Sequence, residues 1–60
     1  MKNFIEVPED AGTVLINVQQ ICKIDWDNDG TVIYLNGGYE VHTNLNVMEV
    51  QHLIEKSYLS

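Results

Sequence analysis

Asp25-Trp26-Asp27-Asn28-Asp29-Gly30 puts three carboxylates at alternate positions ahead of a glycine. That is the first half of a calcium loop, in which alternating oxygens converge on a hard cation and the glycine allows a sharp bend. The second half does not follow. The twelfth position, where a bidentate glutamate is required, is Asn36, and no helical pattern comes after it. An acidic β-turn with its carboxylates in water accounts for the same residues. Asp25, Asp27 and Asp29 are therefore the candidate metal ligands, in a calcium-binding hairpin.

Other chemistry has less to work with. Zinc needs three or four His, Cys or carboxylate ligands at close spacing, and His42, His52 and Cys22 form no such motif. Cys22 and His42 fall on one expected face, which would suit a thiol nucleophile and its base. Cys22, however, stands between Ile21 and Ile24 in a core-like strand, where thiols are inert. Gly37-Gly38 separates two strands rather than leading into a helix, so it is not a phosphate loop. Ser57 and Ser60 occupy no nucleophile elbow. The chain reads as non-enzymatic and without a cofactor.

Nine Asp and Glu against three Lys give a net charge of −6 over 60 residues, and arginine is absent. Binding to a phosphate backbone draws its affinity from clustered Lys and Arg, so no direct nucleic-acid binding is expected. Glu6, Pro8, Glu9 and Asp10 interrupt any leading apolar segment, so no signal peptide is expected. The apolar runs Val14 to Ile16 and Val32 to Leu35 fall far short of the ~20 residues that span a bilayer, so no membrane insertion is expected. A single small domain over 1–60, resident in the cytoplasm, is the resulting expectation.

These residues must be carried by strands. Phe4 to Val7 reads as a short strand stopped by Pro8, with Glu9 to Gly12 as a turn. Thr13 to Val18, Ile21 to Trp26, Thr31 to Leu35 and Tyr39 to Thr43 are rich in β-branched and aromatic residues and read as four more. Asp29-Gly30 suits a type I′ bend, and Asn36-Gly37-Gly38 marks a second hairpin. Then the period changes: Val47, Val50, Ile54 and Tyr58 recur at helical spacing. Asn44 or Asn46 can cap this helix; with Asn46 as the cap, Glu49 falls at the third helical position for a capping box, and Leu45 can staple against Val50. The expected fold is α+β, an antiparallel β-meander of four to five strands with one C-terminal amphipathic helix from about 46 to 57.

With Asp29-Gly30 as a two-residue bend, Cys22, Ile24, Trp26, Ile33 and Leu35 share one face of the sheet. Lys23, Asp25, Asp27, Val32 and Tyr34 share the other, where the next hairpin adds Tyr39 and Val41. The fourth strand is then apolar on both sides, as in a strand covered twice. One helix covers one face. A 60-residue domain buries only about 60% of its unfolded surface, so a second copy of the chain is the expected cover. Val32, Tyr34, Tyr39 and Val41 are its candidate interface in a homo-oligomer. The alternative is a monomer whose N-terminal strands fold over that face. A second functional reading is an acidic regulatory protein that binds nucleic-acid machinery or mimics its charge, using Glu9, Asp10, Asp25, Asp27 and Asp29. Neither reading names a protein partner.

The run from Thr13 to Lys56 resembles a family of very small bacterial proteins associated with flagellar and swarming motility. The likeness lies in Thr13-Val14-Leu15-Ile16-Asn17, Ile21 to Asp25, Thr31 to Gly37, and Tyr39 and Val41 before a short helix. The run is also similar to the β-strand portion of LytTR-type DNA-binding domains. The first resemblance implies no catalytic residue. The second implies DNA binding, from which this chain departs in lacking the basic residues that such domains use.

Overall fold

The computed structural model describes residues 3–59. It is an α+β fold of five antiparallel strands and one C-terminal helix: β1 (Phe4–Glu9), β2 (Gly12–Asn17), β3 (Ile21–Asp27), β4 (Gly30–Leu35), β5 (Tyr39–Thr43) and α1 (Val47–Ser57). The strands divide into a hairpin, β1-β2, and a three-stranded meander, β3-β4-β5. A short 3-10 turn, Val18–Gln20, lies between them, where Asn17 accepts a hydrogen bond from the amide of Gln19. β1 does not stop at Pro8 but runs on to Glu9, with Pro8 opposite Thr13. β1 has only β2 as a ladder neighbour, and at such a sheet edge proline leaves no required donor missing.

Three local devices set the registers. In the first bend of the meander, Asp27 pairs with Gly30, so Asn28 and Asp29 span the turn instead of Asp29 and Gly30. The Asp27 carboxylate accepts hydrogen bonds from the amides of Asp29 (2.8 Å) and Gly30 (3.2 Å). Glycines alone have positive φ among the described residues, which excludes a type I′ bend through Asp29. The pairing therefore shifts by two residues, Ile24 to Ile33 and Trp26 to Thr31, and a shift of two keeps the side chains from Lys23 to Asp27 on their expected faces.

In the second bend, Leu35 pairs with Tyr39 across the three residues Asn36, Gly37 and Gly38. The odd loop length reverses the parity. Val41 lies opposite Ile33 and Tyr39 opposite Leu35, while Glu40 and His42 flank Tyr34 and Val32. Tyr39 and Val41 therefore do not share a face with Val32 and Tyr34. Gly37 and Gly38 have φ of 89° and 84°, a region that glycine enters without steric cost. The third device is a bulge at Cys22, which brings Ile21 opposite Leu35 and leaves Cys22 exposed. The Cys22 thiol donates to the Asn36 side chain, whose amide donates in turn to Gln20.

One core results. Ile5, Val7, Ile16 and Val18 from the N-terminal half meet Ile33 and Val41 of the meander and Val50 of α1, with Ile24, Leu35, Leu45 and Leu53 around them. The hairpin and the helix thus cover the same face of the meander. Two buried threonines orient the helix: Thr31 donates to the Leu45 carbonyl (2.8 Å), and Thr43 accepts from the Leu45 amide (3.3 Å). Both halves of the Asn46–Glu49 capping box are present. Asn3 ties the start of the chain to the Ser57 carbonyl.

Ile33 is fully buried, and Ile33→Ala is expected to cost roughly 2–5 kcal/mol. Asn46→Ala removes only the cap and is expected to cost about 1 kcal/mol. Urea unfolding followed by circular dichroism measures both, and the larger loss must fall on Ile33.

Candidate functional site

The meander's second face carries Lys23, Asp25 and Asp27 from β3, Val32 and Tyr34 from β4, and Glu40 and His42 from β5. Neither the hairpin nor the helix covers it: the buried core lies wholly on the other side. Val32 and Tyr34 are nonetheless half-buried, because their cross-strand neighbours close around them. The Lys23 ammonium lies 4.8 Å from the centre of the Tyr34 ring, within the range in which a cation is attracted to an aromatic face. His42 Nε2 and Glu40 Oε1 are 3.0 Å apart.

At the end of this face near the Asp27–Gly30 turn lies a concavity of about 650 Å³. Asp25, Val32, Tyr34 and His42 line it from the sheet, Asp27 and Asp29 from the bend, and Asp10 from the β1-β2 turn. Trp26 completes the rim and is 59% exposed. Four of the chain's nine Asp and Glu residues line it, and no lysine among the described residues does. A concave surface lined by one sign of charge concentrates counterions and cationic groups from solution.

The four expected interface residues are divided. Val32 and Tyr34 stand on the open face, Val41 is buried in the core, and Tyr39 is 70% exposed at the far end of the core-side face. Cys22 and His42 are likewise separated, Cys22 at the bulge beside Asn36 and His42 on the open face beside Val32. Asp10 is the fourth carboxylate. Its link to the others depends on how the first hairpin packs against the meander, which no local pattern encodes. Trp26 reaches the rim because it sits at the open end of an outer strand.

Asp25, Asp27 and Asp29 do not converge. Asp25 accepts from the amide of Trp26 (3.1 Å), and Asp27 is engaged by its two turn amides. Among the described residues, no group of three His, Cys, Asp or Glu side chains is arranged to hold a metal ion. Asn36, at the twelfth loop position, lies beyond the far end of the six-residue strand β4, a span of about 20 Å at the usual rise per residue. Instead of approaching a cation, it bonds Gln20 and Cys22.

A second, smaller groove of about 440 Å³ runs along the start of α1 between Leu45, Met48, His52 and Leu53. No helix of the described residues is long and apolar enough to cross a membrane. Comparison with known proteins finds no match to any family model, any curated protein or any solved structure.

The Asp27 carboxylate serves the fold, so Asp27→Ala is expected to destabilise the chain by about 1 kcal/mol through the loss of two turn hydrogen bonds. Asp29→Ala, which removes an equal charge and neither bond, is expected to leave stability within about 0.5 kcal/mol of the parent. If Asp27 contributed only repulsion, its removal would raise the urea midpoint instead.

Proposed function

We propose that this chain is a non-enzymatic docking module that engages a protein partner through the open face of its meander. One observation carries the reading. The hairpin and the helix both cover the Ile33 face, while Val32 and Tyr34, on the central strand, remain uncovered on the other. Soluble chains seldom leave apolar side chains grouped on an open sheet face without a use for them.

Self-association through this face is the weaker form of the reading. The expected patch contained four apolar residues, and two of them lie on the other side of the sheet. What remains is ringed by Asp25, Asp27 and Glu40, with Lys23 already over the Tyr34 ring. A two-fold copy would press like charges together, an arrangement that costs several kcal/mol at an interface. A different partner with complementary charge avoids that cost.

Two measurements test the reading. Light scattering after gel filtration is expected to give a monomer at micromolar concentration, and a dimer that dissociates on Tyr34→Ala would restore self-association. In pull-downs from the native host, Val32→Asp and Tyr34→Ala are expected to release retained protein, while Leu15→Asp on the exposed side of the hairpin releases none. Retention indifferent to both open-face variants would end the docking reading.

A further inference from the structure

We infer that the occupant of the open face is an extended segment of a partner protein, with lysine or arginine at alternate positions, lying beside β3. This inference rests on the docking reading above and adds the chemistry of the partner. Three observations lead to it. β3 is the outer strand of the meander, with β4 its only ladder neighbour among the described residues. Asp25 and Asp27 lie on the same face of β3, about 6.6 Å apart along the strand at the usual rise per residue. An added extended segment repeats with that same period, so two alternate side chains of the segment would face Asp25 and Asp27.

The third observation is independent of the carboxylates. The face already holds one cation, the Lys23 ammonium over the Tyr34 ring at 4.8 Å. The Tyr34 ring therefore accepts a primary ammonium in the folded chain. Beyond Lys23 the concavity has Asp10, Asp25, Asp27 and Asp29, with no lysine among the described residues lining it. The carboxylates are spread along the site rather than gathered at a point. A chain of separated cations matches that distribution, whereas a single metal ion needs convergent ligands.

The test uses the whole chain and a synthetic eight-residue peptide of alternating Lys and Thr, followed through the emission of Trp26, the chain's single tryptophan. Saturable binding is expected, with none for the matching Glu-Thr peptide. Asp25→Asn combined with Asp27→Asn is expected to weaken binding about tenfold, as the loss of two partly exposed ion pairs implies. Asparagine retains an acceptor oxygen for the Asp27 turn, so the variant keeps its fold, which circular dichroism verifies. Glu6→Gln combined with Glu55→Gln removes the same charge from exposed positions off this face and is expected to change binding less than twofold, within the range of long-range screened effects.

Equal weakening by the two double variants would reduce the effect to net charge and overturn the inference. So would the absence of saturable binding to the Lys-Thr peptide. If the peptide fails while Tyr34→Ala still releases host protein, the docking face stands and its cationic occupant falls. If Val32 and Tyr34 variants also release nothing, the docking reading falls with it.

Discussion

The pairing of Ile33 with Val41 is the contact on which the rest of the molecule depends. It places the largest buried side chain of the central strand beside the only buried apolar side chain of β5. Together they make the floor on which Ile5, Val7 and Ile16 of the hairpin and Val50 of the helix close. A loop one residue shorter or longer would put Val41 on the face of Val32 and Tyr34 and present Glu40 and His42 to the core. The two glycines at positive φ that close the three-residue loop are thus as much a part of the core as the aliphatic side chains. Seven buried apolar residues form a small core, and few of them are dispensable to it.

Much of this architecture is legible in the chain. Runs rich in β-branched and aromatic residues, bounded by turn and breaker residues, identify all five strands to within two residues, and β5 falls on the expected limits, Tyr39 to Thr43. The capping box at Asn46 and Glu49 locates the helix start because its spacing is specific to that geometry. Pro8 misleads because a breaker rule is blind to whether a strand lies at an edge. The Asp-Gly pair misleads for another reason: Asp27 satisfies the turn amides from one residue before the expected bend. That slip is harmless, since two residues preserve the faces.

The three-residue loop has the opposite consequence. Asn36-Gly37-Gly38 is recognisable as a turn, but its length as a loop depends on which residues resume the ladder, and one residue of difference exchanges the faces of β5. At that point Tyr39 and Val41 part from Val32 and Tyr34, and Val41 belongs to the core instead of the expected open face. The acidic site is legible only in part. Asp25 and Asp27 follow from strand alternation, and the bend brings Asp29 close. Asp10, fifteen residues earlier than Asp25, joins them through the packing of the hairpin, a long-range contact with no local signal.

The division of labour between the two faces of the meander follows from these registers. On one side, burial removes aliphatic side chains from water, and the buried polar side chains Thr31 and Thr43 are both hydrogen-bonded to Leu45. On the other, charges remain solvated and of one dominant sign. Concentrating like charge on a folded surface opposes folding, and the chain partly relieves it by directing Asp27 to backbone amides and Lys23 to Tyr34. Asp10 and Asp29 have no such relief in the turn geometry. A bound cationic segment would supply it, because each ion pair formed on the open face also reduces the repulsion that the isolated fold bears. Binding to the native state would then raise stability in proportion to occupancy, and a core of this size gains more from such linkage than a larger domain would.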